Sequence, residues 1–152
     1  MTTTISRIKF SAISCLAIVL LLQVPLASAH HSYAVIDNSR LLEVEATIAK
    51  LEWVNPHSFL WVYVADEAQE SGYQLYAFEV GSITMMTKAG WTRDDTVTAG
   101  EKVTIEYLPL RSGEPGGSLA KMTHADGSVS QGDFPAVRFA DRVRAAEQGE
   151  AQ

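Results

Sequence analysis

The sequence has almost no cysteine and fewer basic than acidic side chains. Its 152 residues include one cysteine, so the chain cannot form an internal disulfide or a zinc site built from several thiolates. Lysine and arginine number 12 against 18 aspartates and glutamates, which gives a net charge of −6. Nucleic-acid-binding proteins need a basic surface that displaces counterions from phosphates. The charge balance therefore argues against nucleic acid as a partner.

A long apolar run occurs close to the start of the chain, and none follows it. Arg7 and Lys9 precede residues 10–22, which are almost all apolar, and Ala27-Ser28-Ala29 follows. This is the order of a secretory signal peptide with its A-x-A cleavage site. The run of 13 residues is shorter than the ~20 that a membrane helix needs. We therefore expect residues 1–29 to be removed, leaving a periplasmic or secreted bacterial protein without a membrane span.

Processing after Ala29 changes the composition. The remaining 123 residues contain no cysteine, because Cys15 leaves with the signal, and their net charge is −8. A thiol nucleophile is then excluded. The sequence also lacks the GxSxG and HExxH motifs and the glycine-rich loops that bind nucleotides. These absences favour a non-catalytic binding module over an enzyme.

The central part of the chain alternates between strand patterns and turn signals. A short helix, with Ser82 as its N-cap and Gly90 after its end, stands between the third and fourth strands. In the first strand the apolar alternation changes phase between Ile48 and Leu51, which predicts a β-bulge. The order is that of a small OB-like, five-stranded Greek-key barrel, with a small β-sandwich as the alternative. The predicted strands cover residues 42–53, 58–64, 73–80, 102–108 and 118–124.

The domain organisation follows from these patterns. We divide the chain into a cleaved signal peptide at residues 1–29, an OB-like barrel at 30–133 and a C-terminal segment at 134–152. For the last segment we expect a short helix around residues 136–146 or a flexible acidic tail.

Two histidines stand at the start of the processed chain. Cleavage after Ala29 makes His30 the first residue, whose α-amine and imidazole can bind one metal ion, and His31 the second. Nitrogen-rich coordination suits Cu(II) best. Cleavage one residue earlier gives Ala29-His30-His31, which is also a copper-binding arrangement. The alternative is a solvated terminus that binds no metal.

The motif Trp53-Val54-Asn55-Pro56-His57 is the second unusual feature. Pro56 fixes its own φ and restricts Asn55 to an extended conformation, so His57 projects in a defined direction. We interpret His30, His31 and His57 as a candidate copper or zinc site. His57 is alternatively a hydrogen-bond donor to a small ligand or a residue that stabilises the turn. The fourth histidine, His124, is interpreted as a loop residue.

Glu79 lies in an otherwise apolar strand, where desolvation would raise its pKa. We group it with Trp53 and Asn55 as candidate ligand- or partner-binding residues, although such a glutamate more often points outward or binds loop amides. An aromatic face of the barrel is an alternative binding surface. An enzyme centred on Glu79 and His57 is a third hypothesis, which requires these two side chains to meet.

Several of these residues recur together in a known pattern, which also includes Gly90-Trp91, the turn at residues 100–103 and Asp126-Gly127. With its Ala-His-His-Ser-aromatic start and its Trp-x-Asn-Pro-His motif, the chain resembles an uncharacterised family of small exported bacterial proteins. The resemblance extends to about residue 133 and implies export and a small β-rich fold. It implies no activity. The predicted partner is therefore an unknown small ligand, a metal ion or an envelope protein.

Overall fold

The computed structural model of the protein describes residues 32–150. The predicted signal peptide, His30 and His31 lie outside the described residues. Among those described, no helix has both the length and the apolar character needed to cross a membrane. The elements follow in the order of a 3-10 turn at Ser32–Val35, β1 at Leu42–Glu52, β2 at Ser58–Ala65, β3 at Tyr73–Gly81, α1 at Ile83–Lys88, β4 at Lys102–Pro109, β5 at Gly116–His124, β6 at Val129–Gln131 and α2 at Phe134–Glu150.

Strands β1 to β5 close into one barrel. β1 pairs antiparallel with both β2 and β4, β2 pairs with β3, and β4 pairs with β5. Parallel pairing between β3 and residues 116–118 of β5 completes the circle, and β6 pairs with residues 121–123, the part of β5 beyond β3. The predicted five-stranded barrel with a short helix between its third and fourth strands is therefore confirmed.

The barrel interior is filled by the apolar residues that alternate along the strands. The register between β1 and β2 shifts between Ile48 and Lys50, which confirms the predicted bulge. The bulge lets both Ile48 and Leu51 pack toward the core despite their odd spacing. The other side chains with 2% exposure or less in this core include Leu60, Val62, Phe78, Val80, Met86, Trp91, Ile105, Leu119 and Met122.

Two adjacent glycines allow β5 to pack closely against both β3 and β4. Gly116 and Gly117 pair with Ala77 and Phe78. A Cβ on Gly116 would lie 2.1 Å from the carbonyl oxygen of Ala77, and one on Gly117 would lie 2.0 Å from that of Leu108. Gly116 also has a φ of +124°, which side-chain-bearing residues rarely adopt. Closure of the barrel therefore depends on the missing side chains of this pair.

The C-terminal segment is a helix throughout its described length, which corrects the prediction of a short helix or a flexible acidic tail. Three arginines balance three acidic residues in residues 134–152, so the segment carries no net charge. Ala136 and Ala140 of α2 are fully buried in a second apolar cluster with Ile36, Leu108 and Ala120. Alanine at these positions lets the helix backbone approach the barrel closely.

Glu106 joins α2 to the barrel through charge. It lies on β4, is 8% exposed, and forms ion pairs with Lys121 of β5 and Arg144 of α2. Burial acts to raise the pKa of Glu106, yet the hydrogen bonds from Lys121 and Arg144 hold it below its ordinary value. The carboxylate is therefore charged at neutral pH and holds the helix.

We predict that Gly116→Ala lowers the free energy of unfolding by at least about 3 kcal/mol, because the added methyl group meets the backbone of β3. Gly113→Ala is the matched control, since Gly113 also has a positive φ but open space around its Cβ position. The free energy of unfolding of this variant should fall by only about 1–2 kcal/mol, which is the cost of a positive φ for a residue with a side chain. Urea unfolding measures both values, and equal losses would contradict the role of close packing at the closure.

Candidate functional site

The Asn-Pro-His corner is held in place by Ser58 and α1. Ser58 Oγ donates to the carbonyl oxygen of Val54 at 2.9 Å and accepts from its backbone N–H at 3.3 Å. Asn55 Oδ1 accepts from the backbone N–H of Ile83 at 3.2 Å, which ties the corner to the start of α1. The Asn55–Pro56 peptide bond is cis. These contacts fix the position from which His57 projects.

His57 and Glu79 meet at the start of β2. His57 Nδ1 lies 2.5 Å from Glu79 Oε1, and the two side chains are 43% and 16% exposed. Nδ1 is itself buried and has no hydrogen-bond partner of good geometry, so the short contact with Glu79 is not an aligned hydrogen bond. The accessible part of the ring is therefore the side away from Nδ1. The convergence required for a Glu79–His57 site is present.

A second carboxylate and a tyrosine adjoin this pair. Tyr33 donates its hydroxyl proton to Asp133 Oδ2, and the same hydroxyl lies 3.4 Å from Ser118 Oγ. Ser118 is directly opposite Glu79 in the parallel pairing of β5 with β3. Asp133 is 9% exposed and immediately precedes α2. We call His57, Glu79, Tyr33, Ser118 and Asp133 the corner cluster.

Burial dominates the electrostatics of the corner cluster. Desolvation raises the pKa of Glu79, the nearby His57 opposes this rise, and the charge of Asp133 adds to it. Desolvation also raises the pKa of Asp133, while the hydrogen bond from Tyr33 and the proximity of His57 act in the opposite direction. The pKa of Tyr33 is raised by burial and by its bond to Asp133. Two carboxylates that share a partly dry site favour a cation between or beside them.

Sequence reasoning found His57 and Glu79 but missed Tyr33 and Asp133 as site residues. These two residues are 100 positions apart, and no local pattern links them. Asp133 is an acidic residue directly before the C-terminal helical pattern, which is the one sequence signal that points to it. His124 was also misinterpreted as a loop residue. It is the last residue of β5, and both of its ring nitrogens are hydrogen-bonded.

The three tryptophans serve mainly the fold. Trp53 is half-buried and packs against the barrel core. Trp61 is half-buried and donates its indole N–H to Glu52 Oε2 at 2.9 Å. Trp91 is 2% exposed and donates its indole N–H to the carbonyl oxygen of Gln131 at 2.7 Å. Trp91 therefore offers no surface for a ligand.

The exposed aromatic residues lie elsewhere, on the outer face of β2 and β3. Tyr63, Tyr73 and Leu75 are 48%, 55% and 46% exposed. Tyr63 is opposite Leu75 in the pairing of the two strands, and Ala65 is opposite Tyr73. Together with Thr47 and Ser71 the three large side chains line a hollow of about 530 Å³. We call this surface the tyrosine face.

The histidines expected to bind metal are not all described. Among residues 32–150, no group of three or more histidine, aspartate or glutamate side chains is arranged to hold a metal ion. His57 lies in the corner cluster, whereas His30 and His31 precede the described residues. The structure brings Glu79 to His57, but it uses the side-chain oxygen of Asn55 for α1 and half-buries Trp53 in the core.

The chain belongs to a family of unknown function, DUF6152, whose sequence profile matches residues 19–120. The matched range ends within β5 and therefore stops before Asp133 and α2. No curated protein and no solved structure matches the chain. The family assignment agrees with the expected membership of an uncharacterised family, and it assigns no activity to the chain.

We predict that Asp133→Asn changes the pH dependence of stability. Because burial raises the pKa of Asp133 above its ordinary value of 3.8, the folded protein binds this proton more tightly than the unfolded chain. The native protein therefore loses stability as the pH rises from the ordinary pKa of 3.8 through the raised pKa of the folded state, and the asparagine variant does not. The free energy of unfolding, variant minus native, should increase from acid to neutral pH in urea titrations.

Asp126→Asn is the control of opposite sign for this measurement. The hydroxyl and backbone N–H of Ser128 lower the pKa of Asp126, so the variant should lose stability relative to the native protein as the pH rises above acid. If the Asp133→Asn curve runs parallel to that of the native protein, Asp133 is not desolvated as described.

Proposed function

We propose that this member of the DUF6152 family is an exported metal-binding module whose corner site binds its metal without catalysing a reaction. Its ligands are His30 with its free α-amine, His31 and His57, and its preferred metal is copper rather than zinc. The observation that carries the proposal is the hydrogen bond from Tyr33 to Asp133 beside the Glu79–His57 pair. It anchors the residue two positions after His31 at the corner where the Asn-Pro-His motif presents its histidine.

Chain reach supports a shared site. Tyr33 belongs to the corner cluster through its hydroxyl, and His31 is two residues before it. Two residues of chain span at most about 7 Å. The proposal therefore requires the imidazoles of His30 and His31 to reach His57 from a point two residues before Tyr33.

The environment of His57 fits a ligand role. A histidine that binds a metal through one ring nitrogen usually has a carboxylate or carbonyl at the other, which fixes the ring and increases its basicity. Glu79 is at Nδ1, so Nε2 is the nitrogen left for a metal. The partly buried carboxylates of Glu79 and Asp133 add negative potential. A cation is the charge that this corner favours.

The donor set argues for copper. Imidazole and amine nitrogens bind divalent first-row metals with an affinity that increases along the series to Cu(II) and is lower for Zn(II). The α-amine becomes available only when the signal peptide is removed, because residues 1–29 otherwise block it. Export and metal binding are thus linked in the proposal, and processing in the periplasm would complete the site.

We predict that the processed protein binds one Cu(II) ion more tightly than a free His-His peptide does. His57→Ala should weaken binding to the level of that peptide, and Glu79→Gln should weaken it by about 10- to 100-fold through loss of support for the ring. Intact-mass measurement on protein purified from the cell envelope first establishes that the chain starts at His30. Isothermal titration with Cu(II) and with Zn(II) then gives the affinities.

His124→Gln is the matched control for this titration, because it removes one histidine outside the corner cluster and should leave the Cu(II) affinity unchanged. An affinity equal to that of the His-His peptide in the native protein, with no effect of His57→Ala, would end the metal proposal. Isolation of the uncleaved chain as the stable cellular form would end it as well.

The tyrosine face supports a second proposed function, the binding of a small aromatic or apolar ligand. Three large side chains are exposed together there, and a grouped apolar patch, unlike a single exposed residue, is typical of an interaction site. The outer surface near the second and third strands is also where OB-type barrels bind ligands. Tyrosine suits this role because it offers a flat apolar ring and a hydroxyl.

We predict that the hydrophobic dye 8-anilinonaphthalene-1-sulfonate binds the folded protein at the tyrosine face. Tyr63→Ser and Tyr73→Ser should each lower the dye affinity by about fivefold, because each removes roughly one aromatic contact worth about 1 kcal/mol. Phe134→Ser is the control, since Phe134 is 56% exposed at the start of α2, outside the hollow. Equal dye binding by all three variants and the native protein would remove the basis of this function.

A further inference from the structure

His124 is hydrogen-bonded through one ring nitrogen to a carboxylate and through the other to a hydroxyl group. Its Nδ1 lies 2.7 Å from Glu101 Oε1, and its Nε2 lies 2.9 Å from Ser130 Oγ. With the carboxylate accepting from Nδ1, a neutral ring carries its proton there, and Nε2 accepts the hydroxyl proton of Ser130. A serine, a histidine and an orienting carboxylate therefore stand in the order that activates a serine nucleophile.

The three residues come from different elements that are fixed to one another. Glu101 immediately precedes β4, His124 ends β5, and Ser130 is the middle residue of β6. The backbone N–H of His124 donates to the carbonyl oxygen of Ser128 at 2.9 Å, which closes the hairpin between β5 and β6. Glu101 Oε2 also accepts from the backbone N–H of Thr98 at 3.4 Å. The alignment is therefore held by backbone as well as side chains.

Ser130 and His124 face a cleft of about 480 Å³. Thr92, Thr96 and Thr98 contribute to its wall, and their hydroxyls can donate hydrogen bonds to a carbonyl oxygen. This cleft is separate from the corner cluster. Ser118 and His124 are six residues apart on β5, which corresponds to about 20 Å along an extended strand.

We propose that Ser130, His124 and Glu101 form an ester-hydrolysing site that is independent of the metal-binding corner. Ser130 Oγ attacks the ester carbonyl carbon and gives its proton to His124 Nε2. The carbon–oxygen bond to the alcohol then breaks, and the leaving oxygen takes that proton. Water attacks the acyl carbon in the second half, passes a proton through Nε2 to Ser130, and releases the carboxylic acid.

The charge of the cleft defines the class of ester. Asp95 and Asp126 line the cleft together with Glu101, and none of the lining residues is a lysine or an arginine. An anionic substrate is disfavoured by these carboxylates, so the substrate is a neutral or cationic ester. Glu101 acts through His124 and is a positioning residue, whereas Ser130 and His124 contact the reacting atoms.

The test uses the purified protein with an uncharged alkyl fluorophosphonate, whose phosphorus is attacked by activated serines with loss of fluoride. Peptide mass spectrometry should find the label on Ser130. Ser130→Ala should abolish it at that peptide, and His124→Ala should slow the labelling by roughly 100-fold or more. Hydrolysis of p-nitrophenyl acetate should fall in parallel. Circular dichroism confirms that each variant is folded.

Two matched comparisons separate catalysis from structure. Ser112→Ala removes an exposed serine outside the cleft and should leave both rates unchanged. Glu101→Gln should slow labelling of Ser130, and Glu101→Asp should restore part of the rate by returning the carboxylate. Labelling of Ser130 in the native protein that is no faster than that of Ser112 would overturn the proposal, as would equal rates in the native protein and a folded His124→Ala variant.

Discussion

The parallel contact between β3 and β5 is the constraint on which the rest of the molecule depends. Gly116 lets the backbones of the two strands approach because a Cβ there would meet Ala77 of β3, and Gly117 lets β5 lie equally close to Leu108 of β4 on its other side. The pairing closes the barrel around its apolar interior and also sets Ser118 beside Glu79. Fold and candidate site therefore have a common origin, since the residues that seal the barrel also align the polar groups at its corner.

The corner cluster shows how a small barrel retains buried acids. Removing a carboxylate from water is unfavourable unless hydrogen bonds or opposite charge compensate it. Asp133 receives the hydroxyl proton of Tyr33, and Glu79 has His57 as its neighbour, yet the pKa of each acid stays above its ordinary value. Compensation is therefore incomplete in the protein alone. A bound cation would complete it, which is the physical basis of the metal proposal.

The parts of the structure set by local pattern were predictable from the sequence. The strands follow from period-two alternation, the bulge from the phase change after Ile48, and α1 from its N-cap Ser82. The helix α2 was underestimated because its contact face is built from small alanines. The Tyr33–Asp133 bond and the partners of His124 depend on residues far apart in the chain, and the pairing of distant polar groups leaves no periodic signal.

Asp133 belongs to two structural units at once. Its side chain accepts the hydroxyl proton of Tyr33 and also the backbone N–H of Phe134, at the first residue of α2. Docking of the N-terminal segment and formation of the first turn of the C-terminal helix are thus thermodynamically linked through one carboxylate. By reciprocity, the first turn of the helix and the contact of Tyr33 stabilise each other by the same free energy. We therefore expect that loosening either end of the described chain weakens the contact made by the other.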